Sequence, residues 1–173
     1  MAKYRQNLPQ LSNQLFLTDG GIETTFIYHN GIDLPYFAVF DQLKSEKGTQ
    51  ALRDYYSRHA TIARANGLGF ILESPTWRAS ADWGKKLGYT PSALADINRQ
   101  SIAFLETLRM EFETAQSPMP ISGCIGPRGD GYDPGRIMSE AEAEDYHAGQ
   151  AQAYATTAAD MVSAITMTNI NEA

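Results

Sequence analysis

Four short apolar runs set the limits on this chain: Leu15 to Thr18, Phe70 to Glu73, Ile121 to Ile125 and Met161 to Ile165. Each has the length of a buried strand, and each gives way to polar or Gly/Pro residues. Helical patterns fill the gaps. From about Thr49 to Asn66, the residues Leu52, Tyr55, Tyr56, His59, Ile62 and Ala63 recur at the spacing of one buried helix face, and Gly67 stands where a left-handed cap is expected. Thr90-Pro91 pairs a capping residue with proline at the first helical position, and Leu94, Ile97, Ser101, Leu105, Leu108 and Phe112 then form an inward stripe. Ser139-Glu140-Ala141-Glu142 has the spacing of a capping box and opens a third helix running to about Ala158. The order is therefore β-α-β-α-β-α-β, with an extra short segment around Leu34 to Leu43. Such alternation predicts a parallel sheet of (β/α) units joined by right-handed crossovers.

Ligands of parallel α/β folds bind at the carboxyl ends of the strands. The conspicuous polar residues here all follow the apolar runs: Asp19, Glu73, Arg128 with Asp130, and Thr166 to Asn169. Their loops are expected to line one mouth. In Thr18-Asp19-Gly20-Gly21-Ile22-Glu23-Thr24-Thr25, Asp19 offers an acceptor for a ligand ammonium, and Gly20 and Gly21 leave the backbone open to close approach. The plainer reading is a tight turn with an Asx hydrogen bond. Glu23 serves either as a ligand contact or as the cap of a helical turn. Glu73 serves either as a ligand contact or as an ion-pair partner of Arg78 or Arg128. Trp77 either excludes water from the site or packs against the next helix, and Trp83 is expected to pack. Arg128 and Asp130 either reach a donor carboxylate or pair with each other, and pairing is the favoured reading. The glycine-rich segment 126–132 lacks the Gly-Lys-Ser/Thr ending of a phosphate loop.

Charge and cysteine content exclude several classes. The formal net charge is −6 over 173 residues with no basic stripe, which argues against nucleic acid. No stretch approaches the ~18 consecutive apolar residues of a membrane span, so no membrane association is expected. Met1 to Gln10 lacks the apolar core of a signal peptide. The single cysteine, Cys124, excludes an intrachain disulfide framework and a cysteine-rich zinc site built from this chain alone. It fits a reducing, cytoplasmic setting and is expected to behave as a small buried hydrophobe. His29, His59 and His147 are far apart without a second His or Cys at i+3 or i+4, and Gly31 breaks the spacing between His29 and Asp33. No catalytic residue and no metal ligand is assigned.

Four stretches taken together resemble the homocysteine S-methyltransferase family: LTDGGIETT at 17–25, GFILESPTWRAS at 69–80, ISGCIGPRGDGYDP at 121–134 and ADMVSAITMTNINEA at 159–173. The resemblance spans nearly the whole chain, in the order the family uses. It implies a TIM-type (β/α)8 barrel in which zinc, held by three cysteine thiolates, binds the homocysteine sulfur, and a methyl group passes to that sulfur from an activated donor. The partners it implies are a small thiol amino acid and a methyl donor. On the matching motifs, the substrate-binding residues are Asp19, Gly20, Gly21, Glu23, Glu73, Thr76, Trp77 and Thr166, with Thr76 and Trp77 on a loop that covers the substrate in relatives.

The chain departs from that pattern in three ways. A complete barrel needs ~250 residues, and this chain has matter for about four strands, so it reads as a single partial domain, the N-terminal half of the barrel, ending inside a fourth helix. The zinc cysteines belong to the other half, so zinc is expected for full-length relatives and not for this chain alone. Ile165 stands where the family usually carries a glutamate for the amino group of homocysteine, and Glu172 is not a substitute for it. The open edges of a half-barrel call for pairing with a second half, self-association with a copy of this chain, or an incomplete product of a longer gene, and the last is the favoured reading. The alternative reading is a non-catalytic remnant or small-molecule-binding module that dimerises.

Overall fold

The computed structural model describes residues 1–133 and 135–173; Pro134, which ends the third motif, lies outside the described residues. The apolar runs form the strands β1 (Phe16–Leu17), β2 (Gly69–Phe70), β3 (Leu72–Glu73), β4 (Ile121–Ile125) and β5 (Met161–Ala164). All pairings are parallel: β1 with β2, β3 with β4, and β4 with β5. β2 and β3 are two parts of one extended segment. The N–H groups of Gly69 and Ile71 donate to Leu15 and Leu17 carbonyls on one side, while those of Phe70, Leu72 and Ser74 donate to Pro118, Pro120 and Ser122 carbonyls on the other. This alternation joins the two ladders, so consecutive strands are neighbours throughout, as in a barrel wall.

The long helices are α2 (Glu46–Ala65), α4 (Pro91–Phe112) and α5 (Glu140–Ala155), and two short ones, α1 (Ile22–Thr24) and α3 (Ala81–Lys86), sit in the loops after β1 and β3. Local chemistry sets their starts. The Ser45, Thr90 and Ser139 hydroxyls accept from the N–H groups of Gly48, Ala93 and Glu142, and Glu142 reaches back to the Ser139 N–H to complete the capping box. Ser45 therefore starts α2 three residues before the position predicted from the apolar stripe, because a capped first turn needs no buried side chain. Gly67 has φ +62°, the left-handed conformation that ends α2. α5 stops at Ala155, short of the predicted Ala158. The segment from Leu34 to Leu43 forms two 3₁₀ turns, Pro35–Phe37 and Val39–Lys44.

The helices form one layer: α2 packs on α4, α4 on α5, and α4 and α5 on β4. Leu52, Tyr56 and Ala60 of α2, Ile102, Leu105 and Leu108 of α4, and Tyr154 of α5 meet Phe70, Leu72 and Ile121 in a core with almost no solvent access. Gly123 lies under Tyr154, where a Cβ would stand 2.5 Å from the ring, so β4 is thinned to admit the aromatic side chain. The amino-terminal segment ties the opposite end of the strands together. Tyr4 N–H donates to Asp160 Oδ1 at 2.6 Å, and Asp160 Oδ2 accepts from Arg109 at 2.8 Å and the Ile121 N–H at 2.9 Å. Val162 on β5 and Ile165 just after it are exposed. Among the described residues no helix is long and apolar enough to cross a membrane.

Candidate functional site

The octet after β1 turns into α1 with Gly21 at its start. Two adjacent tyrosines on the buried face of α2 reach this end of the sheet. Tyr55 Oη lies 3.0 Å from both Asp19 Oδ2 and the Gly20 carbonyl, and Tyr56 Oη donates to the Glu73 carbonyl at 2.7 Å. Tyr55 also stands edge-on to Phe26 and against His59. The sequence reading counted both tyrosines as apolar stripe. The missed signal was their hydroxyls, since a buried Tyr needs a partner for its O–H.

Glu73, at the end of β3, points at neighbouring strands rather than at an arginine. Its Oε1 accepts from Ser122 Oγ of β4 at 2.9 Å, and Ser122 Oγ lies 2.7 Å from Ser163 Oγ of β5. The ion pair with Arg78 or Arg128 considered for Glu73 is replaced by this row of hydroxyls across three strands: Glu73 is in register with Ser122, and Ser163, two residues beyond Met161, the register partner of Ser122, shares that face of the sheet.

Asp19 lies within electrostatic reach of both Glu23 and Glu73 and raises the carboxyl of each. Burial pushes the Glu73 carboxyl up to about 7, opposed by the Ser122 hydrogen bond and aided by the Asp19 charge. Burial likewise pushes Glu23 up to about 7, opposed by its own backbone N–H and by Arg78, and aided by Asp19. Asp19 is raised by burial, with Tyr55 and His59 acting in the opposite direction. The Cys124 thiol lies within electrostatic reach of all three; burial, then those carboxylates, push it well above its ordinary range and keep it protonated. With Glu23 and Glu73 raised to about 7, an approaching cation would favour their ionised forms and draw protons off them around neutral pH.

The loops after β3, β4 and β5 meet at Trp77. Its Nε1–H donates to Thr166 Oγ1 at 3.0 Å and lies 3.3 Å from the Ile165 carbonyl. A Cβ at Gly126 would stand 2.3 Å from the Trp77 carbonyl oxygen, so only glycine lets the chain after β4 pass beneath this residue. Thr166 has φ +58°, a strained conformation for a β-branched residue.

Of the predicted site residues, Asp19, Glu23 and Glu73 come together, and Trp77 and Thr166 touch. Gly20 is exposed, and a Cβ there would meet nothing within 4 Å. Gly21 is near Thr24, with a Cβ contact of 3.2 Å. Thr76 is elsewhere. It is fully buried, donates to the Cys124 carbonyl at 2.9 Å and lies 2.7 Å from Tyr154 Oη, in a brace with Asn98 and Gln150 between sheet and helices. Its hydroxyl is used by the fold and has no free face for a ligand. The predicted pairing of Arg128 with Asp130 is also corrected. Arg128 Nε bonds Asp82 at 2.9 Å and its main-chain N–H donates to Glu172 at 2.6 Å, while Asp130 faces Arg78. α3, which the sequence reading did not assign, carries Asp82 to this place. Trp83 is buried, as expected.

Among the described residues no group of three or more His, Cys, Asp or Glu is arranged to hold a metal ion. Cys124 is buried and protonated, and His59 is engaged with the Tyr55 carbonyl and stacked on Phe70. These residues do not fit the zinc site that the resemblance implies.

A family model described as homocysteine S-methyltransferase matches residues 16–173. Two crystal structures of the homocysteine methyltransferase MmuM from Escherichia coli share the fold. The metallated form superposes with a TM-score of 0.71 at 13% identity over 96% of this chain, and the oxidised form with 0.73 at 13% over 98%. The chain spans 58% and 59% of those two chains. At that identity the likeness carries the fold: parallel α/β, part of a TIM-type barrel. No curated protein sequence matches the chain.

Proposed function

The chain belongs to the homocysteine S-methyltransferase family, and from that premise we propose that it forms the amino-acid side of a pocket for methyl transfer from an activated donor to a thiol such as homocysteine. The observation that carries this reading is the convergence of Asp19, Glu23 and Glu73 beside the exposed backbone of Gly20. A ligand ammonium suits that cluster because it supplies a positive partner to these half-buried carboxyls. Glu23 and Glu73, each held near 7, would give up protons as the cation binds. Tyr55 fixes the Asp19 carboxylate, and Ser122 fixes that of Glu73, so both acceptors are oriented before a ligand arrives. With no φ above zero and no neighbour within 4 Å of a Cβ, nothing in the fold requires glycine at position 20. Close approach of a ligand to the main chain gives that residue a purpose. Trp77 and Thr166 would cover the pocket and exclude water.

Transfer itself forms a sulfur–carbon bond as the bond from carbon to the donor breaks, with that electron pair leaving on the donor. The nucleophile is the thiolate, and a thiol with a pKa of about 8.5 is mostly protonated at neutral pH. Zinc, where bound, supplies the thiolate form. Its ligands are proposed to come from polypeptide other than residues 1–173, acting with this partial domain in the cytoplasm. Self-association through the β5 edge, where Val162 and Ile165 are exposed, belongs to the second reading, a binding module without catalysis.

Calorimetry with L-homocysteine and with its analogue lacking the amino group tests the shared premise. Homocysteine is expected to bind about tenfold more tightly at about pH 8 than at about pH 6, following ionisation of a carboxyl near 7. Equal binding of the two ligands, without pH dependence, would remove the ammonium from the pocket. Methyl transfer to homocysteine by the full-length protein, lost with a chelator, would select the first reading over the second.

A further inference from the structure

Arg78 has none of the partners its sequence position suggested. Its side chain is 4% exposed, and the guanidinium lies between two indoles, 4.1 Å from the Trp77 ring and 3.9 Å from the Trp83 ring. Nη1 donates to the Gly129 carbonyl at 2.9 Å, and Nη2 lies 3.5 Å from Asp130 Oδ2. Burial lowers its proton affinity, while the charges of Asp130 and Glu23 raise it. Among the described residues its Nε is buried without a hydrogen-bond partner. A donor left unpaired is a cost, and the stacking and the Gly129 bond offset it.

This side chain links parts of the mouth that no strand holds together. It follows Trp77 in the loop after β3, grips the loop after β4 through Gly129, and rests on Trp83 of α3. Trp77 in turn holds Thr166 after β5. A planar guanidinium can stack on both faces and donate in its own plane at once; an ammonium cannot.

We propose that Arg78 is a positioning residue that fixes the Trp77 indole and the 126–131 loop over the mouth, so that the loops after β3, β4 and β5 are held as one piece. Its bearing on ligand binding rests on the pocket reading above, whereas its hold on Trp77 does not.

The chain has two tryptophans, so Trp83→Phe leaves Trp77 as the sole reporter while keeping an aromatic face. In that background, acrylamide quenching of Trp77 emission is compared for Arg78, Arg78→Lys and Arg78→Met, with far-UV circular dichroism as the check on folding. Quenching is expected to rise about threefold in Arg78→Met and to a smaller extent in Arg78→Lys, which keeps the charge but not the plane. Where Arg78→Met does not fold, Arg78→Lys carries the measurement. Folded variants with unchanged emission and quenching would overturn the positioning role. Homocysteine titration forms a separate arm. Weaker binding in the folded variants supports the link to the mouth, and unchanged binding overturns it. No binding to the unmodified chain, with Trp77 freed in the variants, overturns the pocket reading and upholds the hold on Trp77.

Discussion

Replacing Glu73 by Gln should flatten part of the pH dependence of stability. Burial holds this carboxyl at about 7 in place of 4.5, with Ser122 opposing and Asp19 adding to the effect. A carboxyl that binds its proton more tightly when folded stabilises the fold fully below its unfolded value and loses that contribution as pH rises through its folded value. Here the window runs from 4.5 to about 7. At ~1.4 kcal/mol for each tenfold difference in proton affinity, the contribution is ~3 kcal/mol at the acid end. Between about pH 5 and about pH 8 roughly 2 kcal/mol of it should vanish. The Gln amide keeps the shape and can still accept from Ser122, but it does not titrate. The variant should therefore gain ~2 kcal/mol relative to the unmodified protein across that range. Glu23 titrates in the same window in both proteins and largely cancels. Asp19 loses a charged neighbour, so a minor part of the change appears as its own altered titration. Urea unfolding followed by circular dichroism at closely spaced pH values gives the two stability curves. Curves that stay parallel would refute the reasoning, since Glu73 would then be as hydrated in the folded chain as in the unfolded one.

Asp19→Ala should weaken homocysteine binding by about tenfold or more, the worth of one charged hydrogen bond, and unchanged affinity by calorimetry would take Asp19 out of the pocket. Gly126→Ala should cost ~1–3 kcal/mol, because its methyl meets the Trp77 main chain; wild-type stability in urea would mean that the two loops part easily. Tyr154→Phe should cost ~1–3 kcal/mol by stranding the polar groups of Thr76, Asn98 and Gln150. A melting temperature equal to that of the unmodified protein would show that the brace repairs itself.

The architecture was legible because its signals are local and periodic. The Tyr55–Tyr56 stripe, the caps at Thr90 and Ser139 and the apolar run of β4 each report the backbone state of their own segment. The parallel order of the strands then follows from alternation. The rim position of Asp19, Glu73 and Thr166 was legible for the same reason, since a residue just past a strand must sit at its end. Partners were another matter. Glu73 meets Ser122 and Ser163 only through the register of three strands, and Thr76 turns inward because Tyr154, from a helix 78 positions away, reaches it.

Arg78 shows the division most clearly. Its charge and its place beside Trp77 are written in the chain, and from these an ionic role was the natural reading. Trp83 as its second stacking face, and Gly129 as its acceptor, required α3 and the loop after β4 to fold back on the same spot. Sequence alone determines which segments bury and which way they run, because burial is decided by neighbours three or four residues apart. Tertiary structure decides which polar groups meet, because a hydrogen bond or a stacked cation depends on placement to a fraction of an ångström between segments that the chain keeps far apart.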